Sequence, residues 1–93
     1  MRNAARVDKN QPSIVAGLRA AGYSVEIIGL PVDLLVGWGG TGGNTGKSAL
    51  LEIKLPEKRK DLTEFQKKFI PAWRGPVCVV TSVDEAIEFL ESI

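Results

Sequence analysis

The chain has 93 residues, 44% hydrophobic and 25% charged, with twelve Lys and Arg against eleven Asp and Glu, one cysteine and no histidine. This length holds a single domain spanning residues 1–93, and folding removes about 64% of the unfolded surface from water, so the core is thin and a partner subunit would help it. The missing histidine excludes Ser-His triads, histidine acid–base catalysis and His-ligated zinc; the lone Cys78 excludes an internal disulfide; and no apolar run approaches the roughly 18 residues of a membrane span.

Any metal must therefore be held by oxygen, which points to Mg²⁺ or Mn²⁺. The N-terminal MRNAARVDKNQ lacks the apolar core of a signal peptide, and the expectation is a soluble, cytoplasmic protein with a reduced thiol. The net charge of +1 conceals an asymmetry: residues 1–80 carry twelve bases against seven acids, whereas Asp84, Glu85, Glu88 and Glu91 follow with no base. The densest basic stretch, Lys54 to Arg74, includes Lys58, Arg59, Lys60 and Lys67, and is either a polyanion-binding patch or an ordinary solvated surface.

In chain order, residues 10–22 read as an amphipathic helix: Asn10 or Gln11 caps it, Pro12 suits its first turn, Ile14, Val15, Leu18 and Ala21 share one face, and Gly22 ends it. Three strand-length runs follow, Ser24–Ile28, Val32–Gly37 and Ser48–Leu55, with a glycine-rich hairpin between the last two. Thr63-Glu64-Phe65-Gln66 has capping-box spacing, and Phe65, Phe69, Ile70 and Trp73 form the stripe of a helix that Pro71 should bend or end near Ile70, with Trp73 in the core. Pro76–Val80 reads as a buried strand. Ser82-Val83-Asp84-Glu85 opens a last helix as a second capping box, with Ala86, Ile87 and Leu90 inward. The order αβββαβα implies an α/β fold, a mixed sheet flanked by helices.

The chemistry concentrates around two strands. Side chains alternate along a strand, so Glu52 and Lys54 share a face, with Ile53 opposite. If the second and third strands are hairpin partners, Asp33 converges on Glu52. Two adjacent carboxylates raise each other's pKa unless a cation neutralises them. Asp33, Glu52 and the main-chain carbonyl of Ile53 would make an open oxygen site for Mg²⁺, with Lys54 placed to orient water and stabilise charge on a phosphodiester. The competing reading is an Asp at a turn and a same-face ion pair on an exposed edge. Gly46-Lys47-Ser48 ends like a phosphate-binding P-loop, but Thr41 stands where the first glycine is required and a strand follows instead of a helix. A hairpin tip that follows a DNA backbone through Lys47, or a plain loop, replaces that reading, and no nucleotide cofactor is expected. Trp38, beside the tip, could stack on a base or pack at a subunit interface.

Pro31-Val32-Asp33, eighteen residues of hairpin and Glu52-Ile53-Lys54 resemble the PD-(D/E)XK nuclease signature. With Asp8-Lys9-Asn10-Gln11, Leu62-Thr63-x-x-Gln66, Trp73-Arg74-Gly75-Pro76-Val77 and Ser82-Val83-Asp84-Glu85-Ala86, nearly the whole chain is similar to the small stand-alone VRR-NUC nucleases of phages and bacteria. The resemblance implies a restriction-endonuclease-like core and Mg²⁺- or Mn²⁺-dependent hydrolysis of DNA. Asp33 and Glu52 would be ligands and Lys54 catalytic, in a homodimer acting on branched DNA such as four-way junctions in a bacterial or phage-infected cell. It also places the Gln66 amide near the scissile phosphate or Lys54; the alternative is that Gln66 serves only the capping box. Arg6 and Lys9 either touch phosphate or are solvated charges. Two features depart from the family: Val32 separates the proline from Asp33, and Gln11 stands where many members carry a first-helix glutamate at the metal site. The reading from another class is a DNA- or protein-binding module that keeps the fold without catalysis.

Overall fold

The computed structural model describes residues 8–40 and 45–93. Four strands, β1 (Ser24–Ile27), β2 (Leu34–Trp38), β3 (Lys47–Ile53) and β4 (Val77–Val80), form one sheet in the order β1-β2-β3-β4, joined by helices α1 (Gln11–Ala20), α2 (Glu64–Ala72) and α3 (Val83–Glu91). The first two pairings are antiparallel and β3 pairs with β4 in parallel. A parallel neighbour cannot be reached by a tight turn, so the chain crosses over through a short 3₁₀ turn, Pro56–Lys58, and α2. The fold is thus α/β with a four-stranded mixed sheet and three helices, in the expected order.

Alternation divides the sheet into two faces. Val25, Leu34, Val36, Ala49, Leu51, Ile53 and Val80 point to one side, where Ile14, Val15 and Leu18 of α1 and Ala86 and Leu90 of α3 complete the core. Helices α1 and α3 approach so closely that a Cβ on Gly17 would lie 2.8 Å from Val83 Cγ2. The other face carries Glu26, Leu35, Leu50 and Glu52. Leu35 is 40% exposed there, so α1 and α3 cover one face and leave the second partly open.

Several local expectations change. α1 ends at Ala20, and Ala21 is exposed because the chain is already turning: Gly22 takes φ 99°, its N–H donates to Arg19 O and the Tyr23 N–H to Leu18 O, closing the helix. Asn10 precedes α1 but its side chain makes no cap. β2 starts one residue after Asp33, and β3 ends one residue before Lys54. α2 runs through Pro71 to Ala72, since the missing proline N–H forfeits one bond on an exposed surface while Trp73 N–H still donates to Phe69 O at 2.9 Å. Trp73 is 49% exposed, not core, because the aromatic stripe of α2 turns away from the sheet. Ser82 caps α3 by accepting from Glu85 N–H, but the box is half made: the Glu85 carboxylate accepts instead from Thr81 N–H at 2.6 Å. Ala86 and Leu90 are buried and Ile87 is half-buried.

Candidate active site

The site lies at the strand ends where β2 begins and β3 finishes. Leu34 pairs with Leu51, which carries Asp33 to the level of Glu52 and Ile53. The Ile53 N–H donates to Asp33 Oδ2 at 2.8 Å, a cross-strand bond that fixes the carboxylate where the ladder would otherwise continue. On the partly open face, Glu52 is 4% exposed, and Lys54 Nζ stands 3.4 Å from its Oε2. The expected same-face placement of Glu52 and Lys54, and the convergence of Asp33 on Glu52, both hold.

These carboxylates are held under electrostatic load. Burial pushes the Glu52 pKa up to about 7, the Asp33 charge adds to this, and the Lys54 ammonium opposes it. Asp33 is raised as well, first by burial and further by Asp8 before α1, while the Ile53 N–H and Lys54 pull it down. Glu52 Oε1 is fully buried and has no hydrogen-bond partner among the described residues. A desolvated acceptor left unpaired costs about 1–3 kcal/mol, more when charged.

Contacts behind the carboxylates hold the frame. Lys54 is fixed at both main-chain groups: its N–H donates to Val80 O at 3.1 Å, and its carbonyl accepts from Asn10 Nδ2, also at 3.1 Å. The same Asn10 amide donates to Thr81 O at 3.0 Å, so one side chain ties α1 to the ends of β3 and β4. Gln66 bears out its capping-box reading. It completes the capping box, accepting from Thr63 N–H at 3.2 Å while its own N–H donates to Thr63 Oγ1 at 3.1 Å. Its Nε2 donates to Pro31 O at 3.4 Å, and the buried amide lies close enough to Glu52 to draw that carboxyl's pKa down.

Other candidates separate from the site. Gln11 is buried, but it sits with Pro12, Val15, Ala16, Arg19 and Ile27 along the α1–β1 cleft, and no hydrogen bond joins it to Asp33 or Glu52 among the described residues. Lys47 starts β3 on the opposite face from Glu52 and at the opposite end, where Nζ donates to Ile93 O at 3.1 Å. Arg59 is engaged structurally: it meets Glu85 Oε2 at 2.8 Å and Thr81 Oγ1 at 3.3 Å, clasping the crossover to the start of α3. Burial works against ionisation of Glu85, but Thr81 N–H and Arg59 overcome it and lower its pKa. Lys67 pairs with Glu64 on the surface at 3.1 Å, whereas Lys9, Lys58 and Lys60 are exposed without an ion-pair partner among the described residues. Arg6 and residues 41–44 of the hairpin tip, including Thr41, lie outside the described residues. Trp38 is half-buried, packs against the core and meets Tyr23 edge-to-face at 5.7 Å.

Asn10, read from sequence as a helix cap, and Asp8, read only as part of a motif, are site neighbours whose contacts there sequence reasoning missed. Nothing local marks these contacts, because the partners lie far along the chain: Lys54, Thr81 and Asp33. No group of three or more acidic or cysteine side chains suited to a metal forms among the described residues, so the acidic contribution is the Asp33–Glu52 pair. No helix of the described residues is long and apolar enough to cross a membrane. Comparison of the chain with protein-family models, with curated proteins and with solved structures finds no match.

Proposed function

We propose that the chain is a Mg²⁺- or Mn²⁺-dependent endodeoxyribonuclease with a PD-(D/E)XK core of the VRR-NUC kind, cutting phosphodiester bonds at DNA branches such as four-way junctions. The observation that carries this reading is the paired carboxylate of Asp33 and Glu52, with an ammonium 3.4 Å from one of them and a buried Glu52 oxygen lacking a partner among the described residues. The antiparallel β1-β2-β3 unit followed by a helical crossover to a parallel β4 supports the same reading.

The donors fit a hard cation. Asp33 and Glu52 would hold it, and Mg²⁺ characteristically takes one or two carboxylates and keeps several waters, so two acids suffice. When bound, the ion supplies charge neutralisation and a water of lowered pKa. The chain does the rest. Ile53 N–H orients Asp33; Gln66 and Lys54 flank the Glu52 carboxylate; and Lys54, its main chain clamped by Val80 and Asn10, holds its ammonium ready for the negative charge that builds on a phosphoryl oxygen. One site cuts one strand, so resolution of a junction calls for two subunits, and a C2 homodimer belongs to the proposal.

The test is cleavage of a fluorescent four-way junction in Mg²⁺, Mn²⁺ or EDTA. Cleavage is expected with either metal and not in EDTA, with Asp33→Asn and Lys54→Ala each losing roughly 10²-fold or more. Absence of cleavage in both metals, or equal cutting by wild type and variants, overturns the enzyme and leaves the non-catalytic binding module.

A further inference from the structure

Helix α2 exposes an aromatic ladder. Phe65 and Phe69 stack at 5.6 Å with an interplanar angle of 17°, and Phe69 and Trp73 at 5.3 Å and 28°. Phe65 is 57% exposed and Trp73 49%. Beyond the Phe65 end of the ladder lies a cleft of about 460 Å³ lined by Phe65, Leu30 and Pro31, with Leu30 itself 68% exposed. The cleft adjoins the catalytic pair through both of its walls. Pro31 is two residues before Asp33 and its carbonyl receives the Gln66 amide, while Phe65 immediately precedes Gln66.

Resting on the nuclease reading for its substrate, we propose that the cleft between Phe65 and Leu30–Pro31 takes up an unpaired nucleobase, so that the site selects DNA whose strand is unstacked beside the scissile bond.

The arrangement around α2 favours this occupant. At 100° per residue, Phe65, Phe69 and Trp73 lie between buried Gln66, which faces the carboxylates, and exposed Lys68 on the other flank. Aromatic faces bordered by cations are what a single strand requires: rings stack on bases while ammonium groups follow the backbone. Lys68 and Arg74 have no ion-pair partner among the described residues. A second copy of the chain is the competing occupant, but the core of a protein interface is depleted of charge, and docking on this stripe would bring Lys68 toward it. The apolar lining of the cleft grips a base by its face, which every base has, and reads no sequence.

The test measures binding in EDTA, where no cutting occurs, using an oligodeoxythymidylate and a blunt duplex of the same length. The wild type should bind the single strand more tightly and show quenched tryptophan emission. Phe65→Leu keeps an apolar side chain and a good helix former but removes the ring plane; it should weaken single-strand binding about tenfold and leave the duplex affinity within about twofold. Trp73→Ala should abolish most of the quenching, and a circular dichroism melt of each variant establishes that it is folded. Equal affinity for both DNAs, or unchanged oligothymidylate binding by folded Phe65→Leu, overturns the proposal. So does a concentration-dependent dimer mass in light scattering that Trp73→Ala dissolves while strand binding persists. Because no metal is present, failure of the junction assay alone overturns the nuclease and leaves base capture standing.

Discussion

Glu52 concentrates the energetic cost of the site in one side chain. Its carboxyl ordinarily titrates near 4.5 but is pushed up to about 7, chiefly by burial and then by Asp33. Below pH 4.5 the group is protonated whether the chain is folded or not. Between 4.5 and 7 the unfolded chain releases the proton while the folded chain keeps it, so folding stability falls as pH rises. Above 7 the folded carboxylate is charged and the loss is complete, roughly 3 kcal/mol for such a shift. Asp33, also raised, acts in the same direction. In EDTA, urea unfolding should therefore report a less stable protein at pH 8 than at pH 5. Glu52→Gln should flatten most of that slope and stabilise the chain at pH 8, while abolishing cleavage. A variant less stable than wild type at pH 8 would refute this account of the site. Adding Mg²⁺ at pH 8 should raise the midpoint for wild type and not for Glu52→Gln, because only the carboxylate recovers its desolvation cost from a cation.

Elements join at the site through contacts of very different sequence range, and this range decided what could be read from the sequence. The capping box of Thr63 and Gln66 spans three residues and was legible; so was the meeting of Asp33 and Glu52, because a hairpin and strand alternation suffice to place both. Asn10 reaches partners 44 and 71 residues away, and Arg59 reaches Glu85 across 26, so neither role has a local signature. Trp73 lies outside the core for a related reason. An amphipathic stripe shows that one side of α2 is apolar, not that the side meets the core; α1 and α3 had already covered the other sheet face, and the ladder was left outside. Two substitutions separate these layers. Thr63→Ala should cost about 1 kcal/mol, the usual worth of an N-cap, and leave cleavage by the folded protein near wild type. Asn10→Ala leaves the Lys54 and Thr81 carbonyls without their shared donor. It should cost about 1–3 kcal/mol in urea unfolding and also slow cleavage, because the main chain that carries Lys54 loses one of its two clamps. Asn10→Ala with full activity would show that Val80 alone fixes Lys54.

At the scale of the molecule, charge is divided between elements. α3, with Asp84, Glu85, Glu88 and Glu91, packs on the covered face, while Lys58, Lys60, Lys67 and Lys68 are carried by the crossover and α2, the helix whose Gln66 draws down the Glu52 pKa. The near-neutral total of +1 is therefore an average over two unlike surfaces. Arg59 and Glu85 meet at the seam and cancel, and an exposed pair such as Lys67–Glu64 contributes little to stability and leaves the lysine accessible. Under the proposed nuclease reading, a DNA backbone would be drawn to the basic crossover and α2 rather than to acidic α3, and so toward the carboxylates and the aromatic cleft. Replacing Lys60 and Lys68 together by Glu should weaken DNA binding at low salt and make the dependence of log affinity on log salt shallower, by about 0.9 for each duplex phosphate that is no longer neutralised. Glu88→Lys, on exposed α3, makes the mirror change in net charge for one residue, but on the wrong side of the sheet, and should leave the salt slope as it is. If the two variants shifted binding only in proportion to total charge, the proposed approach of DNA from the α2 side would be overturned.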